Sequence, residues 1–177
     1  MNETSLMPQI AIQTTYSKVF LSLGELVVAE QPTHVWTVLG SCVSVVLHNP
    51  RKKISALCHA QLSEDSVFGA KSGNAMSEQY SLRAIKNDFR YVRCSINYML
   101  EQMLVLGVHK NEIQASIYGG ANMIELFTHK IGDKNFKAAC NVLEENGIKI
   151  IKNDVGGNKS RTIRHFSDTG VTLVRSL

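Results

Sequence analysis

Two apolar stretches, Cys42 to His48 and Ile54 to Leu62, stand either side of Asn49-Pro50-Arg51-Lys52. This pattern constrains the fold more than any other in the chain. Asn-Pro followed by two polar residues is turn chemistry, because Pro presets φ and Asn folds its side chain onto nearby backbone. Apolar runs on both sides of a short turn read as the arms of a β-hairpin. With a four-residue loop at Asn49–Lys52, His48 faces Lys53, Leu47 faces Ile54, Val45 faces Ala56 and Val43 faces Cys58. One face is then wholly apolar, and burial of such a face sets the register. The other face carries Val46 with Ser55, Ser44 with Leu57, and Cys42 with His59. A slip of one residue would turn every side chain to the wrong face.

The flanking sequence extends this into an α+β domain, a layered α/β sandwich with a mixed, largely antiparallel sheet and two main helices. Lys18 to Glu30 reads as a strand kinked at Gly24, and His34 to Leu39 as another. Asp88 reads as a helix N-cap. After it Phe89, Val92, Ile96, Met99, Leu100 and Met103 recur at helical spacing, with Gly107 as the stop. Ile113 to Tyr118 alternates into Gly119-Gly120. Asp133 begins a second helix through Phe136, Ala139, Val142 and Leu143, ending at Gly147. Ile148–Ile151, Thr162–Phe166 and Val171–Val174 complete the strands, the last two joined by a turn at SDTG. Residues 1–17 read as a flexible tail before a single domain at 18–177. The polar stretch 63–87 is long for a loop, and such loops are usually functional or mobile.

The composition excludes several classes. With 177 residues, 44% hydrophobic and 19% charged, the chain reads as an ordinary globular domain. No apolar run approaches the roughly 20 residues of a membrane span, and the N-terminus lacks a secretory pattern, so a cytoplasmic protein is expected. Cys42, Cys58, Cys94 and Cys140 are widely spaced with no CxxC pair, so neither a metal site nor a disulfide framework is expected. The net charge of +4 comes with no basic run interleaved with aromatics. An acidic protein surface therefore fits better as a partner than nucleic acid.

The hairpin singles out one thiol among the four. Cys42 shares a face with His59, and Gly40-Ser41 allows a tight turn before it. That turn exposes the thiol and the backbone N–H groups of Ser41 and Cys42, which can hold an oxyanion. Thr37, five positions earlier (42 − 37 = 5), can accept the second imidazole N–H and orient the ring. A packed thiol beside a merely hydrogen-bonded histidine satisfies the same pattern. His48 reads as a turn residue, and His109, His129 and His165 as near-surface residues.

The segment TVLGSCVSVVLHNP resembles the CheD family of chemoreceptor glutamine deamidases. LGELVVAE, ISALCHAQL, YGGANM, IGDKN, DVGG and FSDTG follow in the family's order, covering roughly residues 19–177. The resemblance implies a sandwich related to the catalytic domain of cytotoxic necrotizing factor toxins. It implies Cys42 as nucleophile, His59 as base and Thr37 as the third member, with no cofactor. It also implies hydrolysis of glutamine side chains on methyl-accepting chemotaxis proteins, in their cytoplasmic coiled coil, and a possible CheC-type phosphatase partner. The sequence departs from the family at Ala60-Gln61-Leu62-Ser63 and at Ser160. A catalytically degenerate binding module and a thiol protease or transglutaminase are the rival readings.

Overall fold

The computed structural model describes residues 15–63, 88–122 and 130–177. Most of the expected tail and nearly all of the long polar loop lie outside the described residues. Within them the chain forms β1 (Ser17–Phe20), β2 (Leu26–Ala29), β3 (Thr33–Leu39), β4 (Val43–Asn49), β5 (Ile54–Cys58) and α1 (Val92–Val105). Then come β6 (Gln114–Gly119), α2 (Ile131–Glu145), β7 (Lys149–Val155), β8 (Arg161–Phe166) and β9 (Val171–Ser176). A four-stranded sheet has the order β1-β3-β8-β9, and a five-stranded sheet has the order β2-β5-β4-β6-β7. Only β1–β3 and β6–β7 pair in parallel among the described strands; the other pairings are antiparallel. The fold is thus α+β with mixed sheets, as the strand and helix pattern predicts.

The layers follow from where apolar side chains point. β4 is buried along its whole length, because both of its faces meet protein. Val43, Val45 and Leu47 join Ile54, Ala56 and Cys58 under the helices, against Ile96, Met99 and Met103 of α1 and Ala139 and Leu143 of α2. On the other face Val46 and Leu57 pack with Leu39, Val35, Tyr118 and Ile163 between the two sheets. The order is helices, five-stranded sheet, four-stranded sheet. Burial on both sides explains why β4 reads as a near-continuous apolar run.

The stretch Lys18–Glu30 is not one kinked strand: β1 and β2 lie in different sheets, and Gly24 sits between them at φ 76°. Neither aspartate caps a helix. α1 begins at Val92 after a turn in which the Asp88 carboxylate accepts the Arg90 N–H. α2 begins at Ile131, so Asp133 falls inside its first turn and accepts from the Asn122 amide. The glycine stops hold: Gly107 and Gly147 follow their helices at φ 71° and 69°.

The hairpin register also differs. Asn49 pairs with Ile54, so the turn is Pro50–Lys53, and Leu47 faces Ala56 instead of Ile54. The Asn49 side chain accepts the Lys52 N–H, and Lys53 takes the left-handed conformation at φ 57°. This places Asn49 at the last ladder position, not in the turn. Moving a four-residue loop by one position shifts the pairing by two residues, so each side chain keeps its face.

Candidate active site

The corrected register changes how Cys42 and His59 meet. Val43 bridges Ala60, which puts Ser44 across from His59 and leaves Cys42 diagonal to it. Both residues still lie on the side facing the four-stranded sheet, Cys42 against the inter-sheet core. Diagonal partners in a sheet have Cβ atoms about 7–8 Å apart, within reach of long or rotating side chains. Among the described residues no hydrogen bond joins the thiol to the imidazole.

His59 is held from the other sheet. Thr37, on β3 and 1% exposed, places its Oγ1 2.8 Å from His59 Nδ1. The same hydroxyl donates to the Leu21 carbonyl at 2.8 Å. With its one proton used there, Oγ1 can only accept from the ring, so this network assigns the proton to Nδ1. A weaker contact from Nδ1 to the Leu21 carbonyl, at 3.4 Å, agrees. Nε2 has no hydrogen-bond partner among the described residues and keeps its lone pair. Burial lowers the His59 pKa below its ordinary value, outweighing the Leu21 carbonyl and the Glu25 carboxylate, which favour the cation. The ring is therefore held towards its neutral form, with one nitrogen anchored and the other without a hydrogen-bond partner among the described residues.

The turn before Cys42 is held by its carbonyls. The Gly40 carbonyl accepts the Ala121 N–H at 2.8 Å, and the Cys42 carbonyl accepts the Gly120 N–H at 2.7 Å. The Ser41 carbonyl accepts Asn135 Nδ2 at 3.0 Å. Asn135, fully buried on α2, also donates to the Gln61 carbonyl at 2.9 Å, two residues after His59. One amide thus ties the thiol turn to the histidine segment. Three successive carbonyls point into protein, and among the described residues the N–H groups of Ser41 and Cys42 donate to no backbone carbonyl. Both amides are thus without a carbonyl partner, a condition for receiving an anion. Burial raises the Cys42 pKa, which its own backbone N–H partly offsets. The thiol is thus neutral until a base takes its proton.

The turn needs glycine across from it. A Cβ on Gly119 would collide with the Cys42 carbonyl, and one on Gly132 with the Gly120 carbonyl. Arg161, 7% exposed, then locks the neighbouring turn, donating to the Gly119 carbonyl at 3.2 Å, to Asp154 and to the Gly156 carbonyl. The described residues of YGGANM, IGDKN and DVGG therefore converge on the back of the thiol turn, through Gly119 to Ala121, Gly132 with Asn135, and Asp154 with Gly156. Asn135 and Arg161 carry no sequence signal beyond those motifs, since a buried Asn is recognised only once its neighbours are in place.

The other cysteines lie where core or helix positions were expected. Cys58 is fully buried, its pKa pushed up to about 11 by burial, and Cys94 and Cys140 lie on α1 and α2. Two histidines are corrected. His165 is not near the surface but fully buried, and His48 is buried in β4, not in the turn. No group of His, Cys, Asp and Glu among the described residues could hold a metal ion.

Known proteins share this chain over most of its length. A family model described as CheD chemotactic sensory transduction matches residues 75–176. A probable chemoreceptor glutamine deamidase CheD of Maridesulfovibrio salexigens is 34% identical across 97% of each chain. A second, from Geobacter sulfurreducens, is 32% identical over 90% of this chain and 89% of its own. The chemoreceptor glutamine deamidase CheD of Thermotoga maritima is 29% identical over 90% and 92%. The family model begins after Cys42 and His59, but the near full-length relatives span both. With more than half of the chain matched by the model and a full-length relative at this identity, the chain belongs to the CheD family.

Proposed function

We propose that this chain is a protein-glutamine deamidase that converts glutamine side chains of chemoreceptors to glutamate. The relatives' printed names support the substrate class. The observation that carries the chemistry is the Thr37–His59 contact of 2.8 Å, which anchors Nδ1 and leaves Nε2 without a hydrogen-bond partner among the described residues, on the sheet face that also carries Cys42.

In this reading Cys42 rotates towards His59 as substrate enters, and Nε2 takes the thiol proton. The thiolate attacks the carboxamide carbon, and the C=O electron pair moves to oxygen, which the Ser41 and Cys42 N–H groups receive. The tetrahedral centre collapses, the C–N bond breaks, and the Nε2 proton leaves with ammonia. A thioester remains. Nε2 then deprotonates water, hydroxide adds to the thioester, and the C–S bond breaks to give glutamate and the free thiol. Thr37 keeps the ring in the Nδ1–H tautomer through both halves. No metal or organic cofactor takes part.

The substrate in this reading is the cytoplasmic coiled coil of a methyl-accepting chemotaxis protein, which places the enzyme in the cytoplasm. No described helix is long and apolar enough to cross a membrane. One observation favours the rival, a degenerate module that only docks on a receptor or a CheC-type phosphatase: the thiol and imidazole share no hydrogen bond. Incubation with the organism's chemoreceptors, read by ammonia release and peptide mass spectrometry, decides. Glutamine-to-glutamate conversion that disappears in Cys42→Ala is expected. Binding without conversion would leave the docking module, and peptide cleavage or amine incorporation would mean a protease or transglutaminase.

A further inference from the structure

The outward face of the four-stranded sheet is a large surface that the site does not use. The register arranges it in three rows. Phe20, Trp36, Arg164 and Leu173 form one, and Lys18, His34, Phe166 and Val171 the next. Val38, Thr162 and Arg175 form the third, at the end of β3 that leads into the thiol turn. No Asp or Glu stands in any of these rows. Asp168 lies in the turn after β8, where it accepts the Tyr16 hydroxyl at 3.1 Å.

This face is apolar and cationic together. Phe20 is 49% exposed, Val38 44%, Val171 49% and Leu173 55%. These are exposed apolar side chains interleaved with cations, on a chain whose other sheet has one face under helices and the other in the inter-sheet core. The aromatic rings brace each other: His34 stacks on Phe166 at 4.9 Å, and Trp36 sits 5.3 Å from His34 and 5.9 Å from Phe20. Cavities of about 330 Å³ and 260 Å³ flank Arg164, the first between Lys18 and Trp36 and the second between Leu173 and Arg175.

We infer that this face is the docking surface for an acidic, amphipathic helical surface of the receptor substrate, an inference that rests on the deamidase reading. Charge selects the occupant. A second copy of the chain would set Lys18, Arg164 and Arg175 against their own kind, which opposes association. A nucleic acid would satisfy the cations but leave the Val38, Val171 and Leu173 side chains facing phosphates. A helix with an apolar stripe flanked by carboxylates covers both. Val38 is four residues from Cys42 (42 − 38 = 4), so a partner gripping this face lies beside the end of the sheet where the thiol turn emerges. Binding at this remote face then holds the receptor's glutamines close to the thiol turn and lowers KM without altering the chemical step.

The test uses the full chain and the purified cytoplasmic fragment of a chemoreceptor from the same organism. Arg164→Glu/Arg175→Glu and, separately, Leu173→Asp should raise KM for the fragment at least about tenfold. The kcat and the rate of Cys42 alkylation by iodoacetamide should stay unchanged, which also shows that the site is intact. In a Cys42→Ala background the same substitutions should weaken binding to the fragment by a similar factor, the unaltered face binding less tightly as salt rises. If the receptor is deamidated and both surface variants keep their KM, the docking surface falls and the deamidase stands. If the receptor is never deamidated, both fall. Self-association abolished by Leu173→Asp, or an RNA oligonucleotide that competes with the receptor fragment, would also overturn it.

Discussion

Two histidines are buried between the same two sheets in mirrored fashion. His59 follows β5 of the five-stranded sheet and reaches a hydroxyl of the other sheet, Thr37 on β3. His165 sits on β8 of the four-stranded sheet and reaches back to a hydroxyl on β5, Ser55 Oγ, at 2.9 Å. In both cases the hydroxyl donates onward to a carbonyl, Leu21 for Thr37 and Ser167 for Ser55. The difference lies in what is left over. Ser55 accepts from His165 Nε2 and from His48 Nδ1, and Thr172 Oγ1 lies 2.9 Å from His165 Nδ1, so both of that ring's nitrogens are used. His59 uses one nitrogen, its other has no hydrogen-bond partner among the described residues, and Cys42 lies diagonal to it on the same sheet face. A buried imidazole–hydroxyl pair is thus ordinary structure. What sets His59 apart is the unspent nitrogen on a sheet face that also carries a thiol.

Cys42→Ala should lower ammonia release from receptor by about 10³-fold or more while keeping the fold, since it removes only the nucleophile. Wild-type turnover in this variant would end the assignment of the thiol. His59→Asn should cost about 10²–10⁴-fold and slow iodoacetamide labelling of Cys42 near neutral pH. An identical labelling profile would mean that the imidazole never reaches the sulfur. Thr37→Val should reduce turnover by roughly tenfold, less than either, because base and nucleophile remain and only the ring's orientation is freed.

At the opposite pole the expectation reverses. His165→Phe should leave turnover within a few-fold but destabilise the chain by about 1–3 kcal/mol, because it strands the Thr172 hydroxyl. Urea unfolding and ammonia release on the same protein would separate the two poles, and a large loss of turnover without loss of stability would erase the distinction. The effect of pH is smaller and shared. Burial lowers His59 and His48, and lowers His165 to about 3, aided there by the nearby His48. Each folded pKa lies below the unfolded value near 6.5, so protons bind the unfolded chain more readily. The stability these rings carry is complete above about pH 6.5 and is lost as pH falls below it, for His165 down to about 3. The urea midpoint should therefore drop between about pH 7 and pH 5, and His165→Phe should flatten that slope. An unchanged slope would mean that His165 binds its proton equally well in the folded and the unfolded chain.

Much of this architecture is legible along the chain because alternation in a strand is a local property. Val43, Val45 and Leu47 had to share a face with Ala56 and Cys58, and Cys42 and His59 had to share the other, whichever even register the turn chose. Helical spacing and the glycine stops likewise placed α1 and α2. The pairing itself was decided by the Asn49 side chain closing the turn and by β6 ordering the far edge of β4, so Cys42 came to lie diagonal to His59. Thr37 was legible only as a hydroxyl one strand away, and its 2.8 Å contact exists because two sheets pack face to face. The same packing buried His165, separated β1 from β2 and brought Asn135 from a helix ninety-four residues away onto the Ser41 carbonyl. Faces follow from the period of one strand, but contacts between sheets follow from which surfaces must leave water together, and only the assembled layers settle that.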